Sequence, residues 1–178
     1  MRSVLVSVAL VVLAATSWAK PAEPVTQAEA YGVFSRAAQM LSSVLNVKID
    51  EPSKPAQPQQ PVTRLQVIEN FYRLFEASKS KFRFTPKPVS VDRKRLNVKD
   101  SLGNQHIQKM IAFGTVAPVG PLATGPKETL SVQEFSEALG FFLVRMAELT
   151  HMPEPKWSPP LMDDRTDAPK KGARGKGG

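Results

Sequence analysis

The sequence predicts an all-α protein, a small helical bundle. Three observations carry that expectation. One helix-opening signature occurs three times, at Thr26-Gln27-Ala28-Glu29, Thr63-Arg64-Leu65-Gln66 and Ser131-Val132-Gln133-Glu134. Each opening leads into apolar residues at helical spacing. Cysteine is absent, so an exported chain of this kind relies on a buried core and not on disulfides.

The chain starts with the pattern of a secretory signal. Arg2 supplies the positive start, Val4–Ala15 the apolar core, and Ser17-Trp18-Ala19 a small-x-small cleavage site before Lys20. The expected division is a signal peptide over 1–19, a helical domain over 20–157 and a disordered basic tail over 158–178. The apolar run is short for a bilayer crossing, and no later run approaches it, so no transmembrane segment is expected after cleavage. Retention of the run as an anchor is the alternative. The expected location is outside the cytoplasm, in the periplasm or on the cell surface.

Pro24–Glu29 opens the first helix, which runs to about Leu45. Thr26 is its cap and Glu29 completes a capping box, the carboxylate reaching back to the cap's own N–H. Val33, Phe34, Ala37, Met40, Leu41 and Val44 form its apolar stripe. Residues 50–61 carry Pro52, Pro55, Pro58 and Pro61 among polar residues, which reads as a stiff, solvated loop without a face to bury. Thr63 caps the second helix, with Gln66 in the glutamate's place and Val62 and Val67 as a hydrophobic staple. Its stripe is Val67, Ile68, Phe71, Leu74 and Phe75, ending near Ala77.

The segment 78–99 holds Lys79, Lys81, Arg83, Lys87, Arg93, Lys94, Arg95 and Lys99 against one acid, Asp92. The whole chain has a formal net charge of +8, and this segment carries much of it. A second excess lies at Lys170, Lys171, Arg174 and Lys176. Such patches favour anionic partners, among which wall polymers and lipid head groups are the ones an exported chain meets. A solvated surface that keeps the domain soluble is the plainer reading of any single lysine. Phe82 and Phe84 alternate with charged neighbours, which predicts a short extended piece packed on one side. Pro86 and Pro88 then bar a helix.

A further helix is expected over Leu102–Phe113, with Leu102, Ile107, Met110, Ile111 and Phe113 apolar and Gly114 as its stop. Pro118, Gly120, Pro121, Gly125 and Pro126 make the following loop. Ser131 and Glu134 form the third capping box, and Leu130 and Phe135 its staple. Phe135, Leu139, Phe142, Leu143 and Met146 continue the last stripe. The places four and eight residues past each cap hold Ala30 and Phe34, Val67 and Phe71, Phe135 and Leu139. One register with one capping chemistry predicts an internal repeat whose helices shelter each other's stripes. Beyond His151 the prolines 153, 155, 159 and 160 break periodicity, and Trp157 is the residue placed to pin the start of the tail.

Residues 95–134 resemble an S-layer homology repeat, the cell-surface anchoring module of bacteria. In that family's pattern Val98, Ile107, Met110 and Gly114 fall on the Val, Ile, Leu and Gly of the first helix. Ser131 and Glu134 fall on the Thr and Glu of the Thr-Arg-Ala-Glu motif that opens the second. Pro24–Glu29 and Pro61–Gln66 look like that second opening alone, from shortened or diverged repeats. Asn97 stands where the family has Asp, Leu102 where it has Trp, and Val132 where it has Arg. Arg64 keeps the motif's arginine, although Leu65 and Gln66 depart from it. The resemblance implies a bundle of helix-loop-helix repeats that associates with an acidic wall or surface polysaccharide. A guanidinium suits such a ligand because it gives a carboxylate two parallel hydrogen bonds. Arg64, Arg83, Arg93, Lys94 and Arg95 are the candidate polymer contacts.

No catalytic constellation is visible. His106 and His151 lie in separate segments without metal-ligand spacing, so no metal is expected. The glycines 114, 120 and 125 are too scattered to cradle a phosphate, and no cofactor is expected. Ser131 is explained as a cap and not as a nucleophile. A nucleic-acid partner is not expected, because export separates the chain from it and the basic segment lacks a base-stacking platform. The expected function is therefore a non-enzymatic envelope protein bound to an anionic polysaccharide. An adaptor that binds another envelope protein is the alternative.

Overall fold

The structure is a computed structural model and describes residues 23–151. Residues 1–19, expected as a signal peptide, and Trp157 and residues 158–178, expected as a basic tail, lie outside the described residues. Among the described residues the chain is all-α. It contains α1 (Gln27–Leu45), α2 (Arg64–Ser78), a 3-10 turn (Lys79–Lys81), α3 (Ser101–Ala112) and α4 (Val132–Thr150).

All three expected capping boxes are formed. Thr26, Thr63 and Ser131 accept from the N–H three residues on, and Glu29, Gln66 and Glu134 bond back to the cap N–H at 2.9, 2.9 and 2.8 Å. A helix start leaves its first N–H groups without partners inside the helix. Here the three starts supply one another. The Gln27 N–H donates to the Gln60 carbonyl at 2.8 Å, the Arg64 N–H to Glu128 at 2.7 Å, and the Val132 N–H to Glu23 at 2.9 Å. Each donor stands one residue after its cap, and each acceptor three residues before the next cap. The three bonds therefore close a ring in one register. Antiparallel bridges Thr26–Pro61, Thr63–Thr129 and Pro24–Ser131 repeat the same offsets. Two further bonds, from Val25 N–H to Leu130 and from Val62 N–H to Val25, run inside the ring. Local caps thus become a threefold junction, which holds α1, α2 and α4 parallel with their N-termini together.

The residues just before the caps, Val25, Val62 and Leu130, are buried at this junction. Below them the shared register places the predicted repeat positions in the core. Ala30, Phe34, Val67, Phe71, Phe135 and Leu139 are all buried. Phe34 meets Phe71 edge-on at 5.4 Å and Phe135 at 5.6 Å, and Phe71 stacks on Phe142 at 4.6 Å. Such pairs add about 0.5–1.5 kcal/mol each beyond the area they bury. Val44, expected in the first stripe, is exposed at the far end of α1. Asn46 follows in the left-handed region at φ +50°, which Asn tolerates better than most residues, and ends that helix.

α3 lies along α2, in the same direction. Its cap is Asp100, whose side chain accepts from the Gly103 N–H at 2.6 Å, so the helix begins one residue before the expected start. It stops as Gly114 predicts. Gly114 takes φ +70°, its N–H donates to Ile111 at 2.8 Å, and the Thr115 N–H donates to Met110 at 2.9 Å. These are the two bonds of a Schellman motif. Ile107, Met110 and Ile111 are buried as expected, but Leu102 is 56 % exposed. Leu102 sits in the first turn beside Gly103, whose lack of a side chain lets Leu65 of α2 pack close to the α3 backbone.

Two loops differ from expectation. The proline-rich segment 50–61 is not merely a solvated spacer. Pro52 is buried, and the carbonyls of Pro58 and Gln60 take the N–H groups of Ala28 and Gln27 at 2.9 and 2.8 Å. In the segment 78–99 Phe82 has extended backbone, as expected, but the packing of the phenylalanine pair differs. Phe82 packs against Phe75 and Phe113 at 5.6 and 6.0 Å, whereas Phe84 is exposed, so only the first of the pair is held.

Candidate functional site

The basic segment is a strap fixed at several points. The Arg83 N–H donates to the Leu149 carbonyl of α4 at 2.8 Å, and the Val89 N–H to the Ala112 carbonyl of α3 at 3.4 Å. The strap itself leaves directly from the end of α2. It therefore passes the C-terminal ends of α2, α3 and α4, which point the same way. Three helices gather their partial negative charges at that end, so cations there are favoured. Lys79, Lys81, Arg83 and Lys87 occupy this stretch and are exposed. Lys79 also stands 5.7 Å above the Phe113 ring. The strap then turns at Arg93-Lys94-Arg95. Asp92 makes that turn, with its side chain accepting from the Lys94 N–H at 3.1 Å and its carbonyl from the Arg95 N–H at 3.0 Å. The single acid in the segment thus shapes the backbone beneath three exposed cations. Leu96 and Val98 anchor the far side, and the Asn97 N–H donates to Ala123 at 2.9 Å.

The five candidate contacts fall in three places. Arg93, Lys94 and Arg95 share one exposed turn. Arg83 is exposed at the C-terminal end of the bundle, ten residues away along the strap. Arg64 is only 8 % exposed. Its guanidinium donates to the carbonyls of Asn97 and Gly125, and to that of Pro121 at 3.5 Å. The Asn97 side chain joins the same cluster, donating to Gly125 at 2.9 Å. Burial lowers the Arg64 pKa, with Glu128 acting against that shift. A planar five-donor group suits this task, because one side chain spans carbonyls from two separate loops. Arg64 thereby fastens the loop after α3 and the lead into α3 to the head of α2.

A second polar cluster joins α2 and α3. The His106 ring stacks on Tyr72 at 3.7 Å and 10°. Lys109 Nζ donates to the Tyr72 hydroxyl at 3.0 Å and pairs with Glu76 at 2.6 Å. Bonds to Glu76 and Tyr72 raise the Lys109 pKa. Burial alone would raise Glu76, but Lys109, with Lys79 and the Tyr72 hydroxyl, acts against it and the net shift is downward. Burial also lowers His106 below its ordinary value, and its Nδ1 is enclosed without a hydrogen-bond partner. Periodicity placed His106 on the first helix of the repeat but carried no sign of Tyr72 beneath it. Arg145 was likewise missed. Its Nε donates to the Gly114 carbonyl at 2.9 Å and its guanidinium pairs with Glu148, tying the stop of α3 to α4.

Among the described residues no group of His, Asp or Glu is placed to hold a metal ion, and no helix is long and apolar enough to cross a membrane. No family model matches the chain, and no curated protein matches it.

Proposed function

We propose that the protein is an exported, non-catalytic envelope protein, built on an S-layer-homology-type unit that associates with an anionic wall or surface polymer. The closed ring of three helix openings carries this reading. Three tandem repeats sharing one opening motif have a natural way to satisfy their starts, which is in a threefold junction of this kind. Two of the repeats then retain only the second helix, and α3 with α4 makes the third complete.

The polymer contacts in this reading are the exposed cations Arg83, Arg93, Lys94 and Arg95. Arg64, the arginine in the motif position, serves the fold instead. Binding through an exposed turn is electrostatic and weakens with salt. The test is co-sedimentation of the mature protein with purified cell-wall sacculi at low and high salt. The reading expects retention at low salt, release at high salt, and loss of retention in Arg93→Glu/Lys94→Glu/Arg95→Glu. Equal recovery in the unbound fraction under both salt conditions rules it out.

A further inference from the structure

The strap has two exposed basic parts, and they differ in what stands beside the charges. At the turn Arg93-Lys94-Arg95 the flanking Val91 and Leu96 pack on the core, so the turn offers charge alone. Residues 79–89 offer charge and apolar surface together. Lys79, Lys81, Arg83 and Lys87 are exposed with no acid among them, and Phe84 and Val89 stand between and beside them, 37 % and 40 % exposed. Phe82 packs inward on Phe75 and Phe113 and roots this part on the bundle. The Arg83 N–H bond to α4 and the Val89 N–H bond to α3 then carry residues 84–88 from one helix end to the other. Pro86 and Pro88 keep that crossing from coiling into a helix.

We propose that residues 79–89 are a membrane-facing edge, by which the bundle lies against the surface of an anionic phospholipid bilayer. Lys79, Lys81, Arg83 and Lys87 meet the lipid phosphates, and Phe84 and Val89 enter the head-group region between them. The charge of this edge is not spent within the protein. The acids in the last turns of α2 and α4, Glu76 and Glu148, are paired with Lys109 and Arg145. The three helix ends contribute about −0.5 charge each, less than four cations supply. In sequence, 1–22 holds Arg2 and Lys20 with no acid, and 152–178 holds six Lys and Arg against four Asp and Glu. Both segments add positive charge, so the anionic counterpart comes from outside the chain. The apolar pair decides which anion fits. A bilayer presents phosphates above an apolar layer, and basic residues with exposed aromatic and aliphatic neighbours suit that combination. A hydrated polysaccharide presents carboxylates with no such layer beneath. The proposal goes beyond polymer binding and shares only Arg83 with it.

The test is co-sedimentation of the mature protein with vesicles of phosphatidylglycerol and phosphatidylethanolamine in equal parts, and with vesicles of phosphatidylcholine alone. Binding to the anionic vesicles only is expected. Each cation near an anionic surface contributes about fivefold to partitioning, so Lys81→Gln/Arg83→Gln/Lys87→Gln should weaken it by about a hundredfold. Phe84→Ser, at an exposed side chain, should weaken it by about tenfold. The chain has no cysteine, so Phe84→Cys carrying an environment-sensitive nitrobenzoxadiazole label marks a single place. Its emission should shift to the blue on the anionic vesicles. The same label at Leu102→Cys, at the other end of α3 and about 15 Å from Ala112, should not shift. Absence of binding to the anionic vesicles overturns the proposal. So does binding with an unshifted label at 84 and full affinity in Phe84→Ser, which would make the contact one of charge alone. Retention on sacculi is measured separately, so failure on vesicles is distinct from failure of the polymer reading.

Discussion

Replacing Arg64 by methionine keeps the aliphatic stem packed and removes every donor. The carbonyls of Asn97 and Gly125 then lose a charged partner, and Pro121 loses a weaker contact at 3.5 Å. A hydrogen bond to a charged group contributes about 1.5–3 kcal/mol, so two strong ones are worth about 3–6 kcal/mol. Releasing a fixed arginine side chain returns about 1.5–2 kcal/mol of rotamer entropy. The net loss expected for Arg64→Met is therefore about 1–4.5 kcal/mol, a large share of the stability of a domain this size. Arg64→Lys should fall between the two, because one ammonium does not span carbonyls on two loops. Urea unfolding followed by circular dichroism measures the difference, with unchanged slope as the check that only stability moved. A loss below about 1 kcal/mol for Arg64→Met would refute the clamp and return Arg64 to solvent, where such changes are small.

Other substitutions test the neighbouring parts. Thr26→Ala, Thr63→Ala and Ser131→Ala should each cost about 1 kcal/mol. Because the caps share one junction, double mutants should deviate from additivity by about 0.5 kcal/mol or more, readable by thermal or urea unfolding. Phe71→Ala should cost about 3–5 kcal/mol, since Phe71 is fully buried between Phe34 and Phe142. For His106 the sign follows from its lowered pKa. The folded state favours the neutral ring, so its contribution is complete above the unfolded value of about 6.5 and declines as pH falls through the lower folded value. Glu69, Glu76, Asp100 and Lys109 surround it. The stability gap between the wild type and His106→Gln should therefore shift in favour of the variant on acidification, measured by urea unfolding across that range.

Much of the helical layout was legible because its signals are local. A capping box and a 3.6-residue stripe are properties of a few adjacent residues, and all three boxes formed where Thr26, Thr63 and Ser131 stand. Gly114 announced its own stop. The joining of the openings into a ring was not legible, because it depends on carbonyls of Glu23, Gln60 and Glu128 whose roles no pattern marks. Arg64 shows the same limit in a side chain. Its residue type fits a carboxylate ligand and buried carbonyls equally well, and only the fold decides between them. The strap divides similarly. Its charge was plain, but that Phe82 is held while Phe84 is not depends on Phe75 and Phe113, which belong to two other elements.

The central claim is that three helix starts satisfy one another in a closed ring. Amide hydrogen exchange of Gln27, Arg64 and Val132 addresses it directly. An ordinary helix leaves its first N–H without a partner inside the helix, and such amides exchange quickly. The ring predicts strong protection at all three, lost together on unfolding of the domain. Fast exchange at these positions, with Val33 and Phe71 still protected, would contradict it.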